Sequence, residues 1–178
     1  LLLLGIGAEP EDGLARAAGL QCDNGIVVDA ALHSSDPAIL AIGHVARFPV
    51  STRWAPAGGL LRLESVQNAN DQAKTAVAHI MGKEEAYNAV PWFWSNQYDL
   101  KLQTVGLSTG YDQTILRGDP AARSFSIVYL KGGKVIALDC VNMVKDYVQG
   151  RAHVLAGAAL DPEQLADASV PLKEVGLA

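Results

Sequence analysis

The first half of the chain carries short apolar runs separated by glycine-containing and polar connections. Residues 1–4 are consecutive leucines before Gly5-Ile6-Gly7, a pattern that predicts a buried parallel strand ending in a loop. Residues 11–20 carry apolar positions at helical spacing before Gly19 and therefore predict a short helix. The expected buried face of this helix comprises Leu14, Ala17 and Ala18.

Two more short strands are expected in the same half. Residues 26–29 follow the turn pair Asn24-Gly25, and residues 39–43 form an apolar run that ends at a glycine. His44 is the first side chain after that second run. Because α/β sheets hold ligands where strands end, we expect His44 to lie at a binding site. The proline and glycines of residues 51–59 predict a surface loop.

The longest helical pattern covers residues 65–82. Ser65 is the predicted N-cap, Gly82 is the predicted stop, and apolar positions recur between them with a period of 3.6 residues. These apolar positions are Val66, Ala69, Ala73, Ala76, Val77 and Ile80. Since most of them are small, a large group is expected to pack close to this helix.

The composition shifts near Ala89, which divides the chain into expected domains at residues 1–88 and 89–178. Alternating patterns then predict four strands, at residues 102–107, 113–118, 124–130 and 135–142, the last two joined by a turn at Gly132-Gly133. Helices are expected at residues 145–156 and after Asp161-Pro162. The fold class is therefore α/β in the first domain and α+β, with an antiparallel sheet followed by helices, in the second.

Composition and charge exclude several classes of protein. A chain of 178 residues that is 49% hydrophobic can bury a substantial core. Its 19 acidic and 14 basic residues are spread without blocks, which argues against nucleic acid or a membrane surface as partner. The apolar run at residues 1–4 is too short for a signal peptide or a membrane span. The two distant cysteines lack metal-ligand spacing and are expected to be small apolar residues in a reducing cytoplasm.

The chain lacks the familiar catalytic and nucleotide-binding motifs. It contains no G-x-G-x-x-G loop, no phosphate-binding P-loop, no nucleophile elbow and no metal-ligand cluster. His33, His79 and His153 are isolated in sequence and are expected to be surface or otherwise satisfied histidines. The residues taken alone therefore indicate no acid–base catalyst.

Seven short segments occur together in a fixed order: GIGAEP, DPAILAIGHVARF, RLESVQNANDQ, PWFWSNQY, RGD, VN and SVPLKE. This ordered set resembles the flavin-dependent NADH:ferredoxin reductases that serve bacterial oxygenases and cytochromes P450. In that family an FAD domain is interrupted by an NAD domain, and an α+β interface domain follows. The resemblance implies that residues 1–88 are the end of the NAD domain with the returning FAD segment, and that residues 89–178 are the interface domain.

The resemblance also implies cofactor-binding residues. The family has aspartate, which accepts a hydrogen bond from a ribityl hydroxyl of FAD, where this sequence has His44. Three explanations stay open for His44: an engineered substitution, a natural loss of flavin binding, or a sequence error. Val66 would place a backbone N–H near the flavin pyrimidine, and Trp94 would shield the ring. Gly5 and Gly7 would border the nicotinamide pocket for NAD(H).

The implied reaction is hydride transfer from NADH to FAD, followed by single-electron steps to a [2Fe–2S] ferredoxin. Because ferredoxins are acidic, docking favours a local positive patch, for which Arg47, Lys74 and Lys173 are the candidates. Without the dinucleotide loops the chain alone is expected to be inactive. The alternative is a flavin-free docking or oligomerisation module. Unpaired strand edges in residues 1–88 would also favour a homodimer.

Overall fold

The computed structural model describes residues 1–50, 59–83 and 85–177. The described residues form two compact units. The first unit comprises Leu1–Val50 and Gly59–Ala89, and the second begins at Val90. The loop predicted over residues 51–59 lies outside the described residues, except for Gly59.

The first unit contains a small three-stranded sheet. Its strands are β1 (Ile26–Val27), β2 (Ala46–Pro49) and β3 (Leu60–Arg62). β2 lies in the middle, parallel to β1 and antiparallel to β3. A compact apolar cluster surrounds it, formed by Val28, Leu32, Ala41, Ala46 and Phe48.

Two stretches of the first unit that were expected to be strands have another structure. Residues 1–4 form no strand and are exposed, because no described strand pairs with them. Residues 39–43 also form no strand; the backbone turns at Gly43, whose φ of +79° is in the left-handed region. A 3-10 turn, Gly43–Val45, follows and leads into β2. His44 therefore precedes a strand and does not follow one.

The helices of the first unit lie where the sequence predicts them, but their buried faces differ. α1 (Gly13–Ala17) buries Ala15, whereas Leu14, Ala17 and the adjacent Ala18, which were predicted to be buried, are exposed. α2 (Val66–Ile80) is capped by Ser65, whose hydroxyl accepts the Asn68 N–H at 3.1 Å. Its buried residues are Asn68, Gln72 and Ala76. The predicted burial of Val66, Val77 and Ile80 is wrong, since all three are exposed.

The second unit is built on a five-stranded antiparallel sheet with the order β4-β5-β8-β7-β6. The strands are β4 (Trp92–Gln97), β5 (Leu100–Gly106), β6 (Gln113–Asp119), β7 (Ser124–Lys131) and β8 (Lys134–Val141). β5 to β8 confirm the four strands predicted from the sequence. Gly132 and Gly133, both at positive φ, form the predicted turn between β7 and β8.

Helices cover one face of this sheet. They are α3 (Val144–Ala156) and α4 (Pro162–Ala166), followed by a second 3-10 turn at Leu172–Glu174. As predicted, Asp161 caps α4: its carboxylate accepts the N–H groups of Glu163 and Gln164. The core between sheet and helices includes Val105, Val128, Leu138, Val154 and Leu172.

Several negative features hold for the described residues. None of the helices found there is long and apolar enough to cross a membrane. No three metal-binding side chains among them converge on one point. Cys22 and Cys140 are unpaired, and burial raises the pKa of Cys140 to about 12, so its thiol is protonated at neutral pH.

Candidate functional site

An open cleft of about 360 Å³ lies in the first unit beside the Gly43–Val45 turn. We call it the first-unit cleft; it is lined by Ala8, Glu9, Pro10, Glu11, His44, Val45, Arg62 and Glu64. Of the predicted cofactor residues, His44 lies in this lining, whereas Gly5, Gly7 and Val66 do not. The lining is largely apolar but includes the charged side chains of Arg62 and Glu64, so it suits a ligand that has both apolar and hydrogen-bonding groups.

The backbone around His44 is held from two sides. The Gly43 N–H donates to Gln72 Oε1 at 2.7 Å, and Gln72 on α2 is fully buried. The His44 carbonyl accepts a hydrogen bond from Arg62 Nη1 at 3.0 Å. Neither bond uses the side chain at position 44. The turn is therefore positioned by α2 and β3, independently of which residue occupies that position.

Arg62 joins three segments at the first-unit cleft. Besides His44, its guanidinium donates to the Ala8 carbonyl at 3.1 Å and to Glu64 Oε1 at 2.6 Å. Its side chain is 11% exposed. Arg62 Nε is buried without a hydrogen-bond partner among the described residues. A buried guanidinium N–H without an acceptor is costly, so this donor fits a ligand that brings an oxygen atom.

Val66 begins α2 and is 57% exposed. The first N–H groups of a helix have no intrahelical acceptor; here Ser65 satisfies that of Asn68, while Ala69 donates to the Ser65 carbonyl. The N–H groups of Val66 and Gln67 precede these two. Together with the helix dipole, they favour an electron-rich group at this end of α2.

Gly5 and Gly7 lie in the exposed segment before α1. A Cβ added at either glycine would meet no atom within 4 Å. Gly7 has a φ of +97°, so its backbone conformation favours glycine, whereas the open space around Gly5 would admit a side chain. Their predicted role at a nicotinamide pocket stays a prediction.

Trp94 lies on β4 of the second unit and is 40% exposed. Its ring centroid is 5.4 Å from that of Trp92, which in turn contacts Tyr147 of α3. Trp92 thus anchors the pair to the core of the second unit, while Trp94 presents part of its ring outward. An aromatic surface of this kind can cover a planar ring or contact a partner.

The three predicted docking cations differ in how far they are already paired. Arg47 on β2 is 24% exposed, forms an ion pair with Asp23 and donates to the Asp23 carbonyl at 2.7 Å. Lys74 on α2 is 75% exposed and lies 2.9 Å from Asp71. Lys173 in the second unit is 64% exposed and lies 3.7 Å from Glu174. Exposed lysine pairs are weak, so both ammonium groups can exchange partners, whereas Arg47 is more firmly engaged.

A second cleft, of about 660 Å³, lies beside Lys173 within the second unit. We call it the second-unit cleft; its lining includes Met143, Lys145, Asp146, Gln149, Ala168, Ser169, Pro171 and Lys173. Asp146 of this lining pairs with the fully buried Arg117 at 3.0 Å. Sequence reasoning missed the burial of Arg117, since an arginine on a strand is usually exposed.

Two protein families match successive parts of the chain. Residues 1–73 match the pyridine nucleotide-disulphide oxidoreductase model, and residues 92–176 match the reductase C-terminal model. In Sphingobium sp., the ferredoxin reductase subunit of 5,5′-dehydrodivanillate O-demethylase is 56% identical over 98% of this chain. Putidaredoxin reductase of Pseudomonas putida is 45% identical over 98% of it. The chain is thus similar to part of these ferredoxin reductases.

Solved ferredoxin reductases share the fold. The putidaredoxin reductase–putidaredoxin complex matches with a TM-score of 0.86 and 45% identity over 96% of the chain. The ferredoxin reductase of the CYP199A2 system from Rhodopseudomonas palustris matches with a TM-score of 0.87 and 46% identity over 95%. These likenesses confirm the α/β plus α+β fold class. The chain spans 42% of the length of the Sphingobium relative and 40% of the Pseudomonas one, corresponding to their C-terminal part.

Proposed function

We propose that these residues act as the C-terminal part of a reductase that passes electrons from NAD(P)H through FAD to a [2Fe–2S] ferredoxin. The observation that carries this proposal is the 56% identity to a ferredoxin reductase subunit along 98% of the chain. In this proposal residues 1–88 finish the NAD and FAD domains, and residues 89–178 form the interface domain. A cytoplasmic location fits the two unpaired cysteines.

The residues of the first unit fit a flavin in part. FAD, when bound, accepts a hydride and releases single electrons. In the proposal the Val66 N–H stabilises the electron-rich end of the ring, and Arg62 Nε is a donor that still lacks an acceptor among the described residues. Gly5 and Gly7 border the nicotinamide of NAD(H), and Trp94 shields the ring.

His44 fits the flavin least well. In the proposed role, residue 44 accepts a hydrogen bond from a ribityl hydroxyl, and a carboxylate does this more strongly than a neutral imidazole. A hydrogen bond to a charged group is worth about 1.5–3 kcal/mol. Its loss weakens binding roughly 10- to 150-fold at one tenfold step per 1.4 kcal/mol. In this proposal, His44 therefore lowers the affinity of the protein for flavin.

Ferredoxin docking is assigned to exposed cations on the two units. Lys74 and Lys173 are the stronger candidates because their ammonium groups are mostly exposed and loosely paired. Arg47 is the weaker candidate because Asp23 already binds its guanidinium. Long-range attraction to an acidic partner raises the association rate and falls with ionic strength.

The proposal is tested by titrating the chain with an acidic [2Fe–2S] ferredoxin at low and high salt. Lys74→Gln and Lys173→Gln are each expected to weaken binding several-fold at low salt, with a smaller effect at high salt. Lys83→Gln and Lys134→Gln are matched controls, since each removes an exposed lysine from the same unit as its counterpart. The absence of salt-dependent binding, or equal effects of all four substitutions, would contradict the docking assignment.

The complete gene product is then assayed for bound flavin and for NADH-dependent reduction of the same ferredoxin. Flavin together with ferredoxin reduction is expected. Binding of ferredoxin without flavin would favour the alternative, a flavin-free docking or oligomerisation module; His44 is the observation that favours it.

A further inference from the structure

Arg117 is a buried arginine whose bonds converge on one segment of the second unit. It lies on β6 and is fully buried. Its Nε donates to Asp146 Oδ2 at 3.0 Å. Its Nη1 and Nη2 donate to four main-chain carbonyls, those of Gln164, Leu165, Asp167 and Val170. The shortest of these bonds reach Leu165 at 2.5 Å, Val170 at 2.9 Å and Asp167 at 3.1 Å.

The bonded carbonyls belong to the end of α4 and to the irregular chain after it. α4 has only five residues, so its last carbonyls lack intrahelical donors. One guanidinium supplies donors to several of them at once, which a lysine ammonium on a more flexible stem cannot match in geometry. Arg117 therefore holds the backbone from Leu165 to Val170, together with the hydrogen bonds that this segment makes within itself.

The segment held by Arg117 continues directly into the wall of the second-unit cleft that carries Lys173. Val170 is followed by Pro171 and by Leu172, which is 1% exposed. The Leu172 carbonyl accepts a hydrogen bond from His153 Nε2 at 2.7 Å, and the Lys173 N–H donates to Gln149 Oε1 at 3.3 Å. The backbone at Lys173 is thus held by α3 on one side and, through Val170, by Arg117 on the other.

The opposite side of the same cleft also depends on Arg117. Asp146, which lines the cleft, is 5% exposed and is the carboxylate that pairs with the arginine. Removing the guanidinium would leave this carboxylate buried without its counter-charge. Arg117 therefore contacts both sides of the cleft: Asp146 on α3, and the segment that leads into the wall at residues 168–174.

We propose that Arg117 is a positioning residue for ferredoxin docking, which acts by holding the wall of the second-unit cleft and hence Lys173. The inference rests on the proposed docking role of Lys173. Without Arg117 the wall becomes mobile, and docking must order it again. Ordering one residue costs about 1–2 kcal/mol, which corresponds to a loss of roughly 5- to 30-fold in affinity.

The test is a double-mutant cycle on ferredoxin affinity with Arg117→Met, Lys173→Gln and the double variant. Arg117→Met is expected to weaken binding roughly tenfold, and Lys173→Gln is expected to add less than about twofold in that background. Lys74→Gln is the control, because it lies in the other unit and should keep its full effect in either background. A purely structural role for Arg117 would reduce both lysine effects alike or neither.

Arg117→Lys serves as a second variant in case Arg117→Met does not fold, because it keeps a buried positive charge but donates to fewer carbonyls. Hydrogen exchange of the amides at residues 168–174 is expected to accelerate in both variants, with folding checked by near-ultraviolet circular dichroism. If Lys173→Gln weakens binding but the Arg117 variants change neither affinity nor amide exchange, this inference is overturned alone. If the unaltered chain does not bind ferredoxin, the proposed function fails with it.

Discussion

Gly106→Ala tests the packing of the second unit, because it adds one Cβ atom at a tightly packed position. Gly106 is the last residue of β5, is buried and has a φ of +76°. A Cβ added there would lie 2.1 Å from the Ile136 carbonyl oxygen and 2.9 Å from Val154 Cγ1. The first contact is with backbone, so it cannot be relieved by rotating a side chain. Gly106→Ala is therefore expected to shift β8 or α3.

The expected cost has two parts. A left-handed conformation costs an alanine about 1–2 kcal/mol. Overpacking a rigid site adds about 1–3 kcal/mol. The substitution is therefore expected to lower the free energy of unfolding by about 2–5 kcal/mol. This is a large fraction of the total for one domain.

Gly133→Ala is the matched control. Gly133 has a φ of +73°, but a Cβ there would meet no atom within 4 Å. Both variants change the unfolded chain in the same way, so the difference between them measures the contact with β8 and α3. Urea unfolding followed by far-ultraviolet circular dichroism gives both free energies. Equal destabilisation of the two variants would refute the reasoning, because it would mean that the strand end relaxes without cost.

Three further predictions concern the site and its supports. His44→Asp is expected to raise flavin affinity roughly 10- to 150-fold, measured by quenching of flavin fluorescence; an unchanged affinity would show that residue 44 does not contact the flavin. Burial raises the pKa of Asp139, although the Tyr129 hydroxyl donates a hydrogen bond to it at 2.8 Å. The stability that the protonated carboxyl contributes is therefore fully present below the pKa of the unfolded state. It is lost as the pH rises through the raised pKa of the folded state. Asp139→Asn should remove that fall from the stability–pH curve, and an identical slope in both proteins would contradict it. Ser65→Ala is expected to destabilise the first unit by about 0.5–2 kcal/mol in thermal unfolding, whereas Ser65→Asp should retain most of the cap.

Much of the second unit was predictable because its turns and helix caps depend on residues that are close in sequence. Strands joined by short turns pair with their sequence neighbours, so the β7–β8 hairpin follows from its alternation and from Gly132-Gly133. Caps are local as well, which is why Ser65 and Asp161 were found from the sequence. The hairpin and the caps required no knowledge of distant contacts, whereas β4 and the pairing of β5 with β8 were not predicted.

The first unit was less predictable because its features depend on distant partners. An apolar run such as residues 1–4 becomes a strand only beside another strand, and no described strand lies there. The buried face of α2 is polar because Gln72 binds the Gly43 N–H and Asn68 donates to the Leu63 carbonyl. Hydrophobic periodicity cannot anticipate a polar residue that is buried for its hydrogen bond. Arg117 escaped prediction for the same reason.

The hydrogen bonds around residue 44 show that the histidine side chain can affect ligand binding without setting the position of the turn. Gln72 and Arg62 hold the main chain on either side of it and leave its side chain free of that task. The residue at position 44 can therefore alter the chemistry offered to a ligand while the turn stays in place. It follows that introducing a carboxylate there needs no rearrangement of β2, β3 or α2. His44→Asp is for that reason a test of ligand chemistry, and a change in stability without a change in flavin affinity would show that the turn depends on its side chain after all.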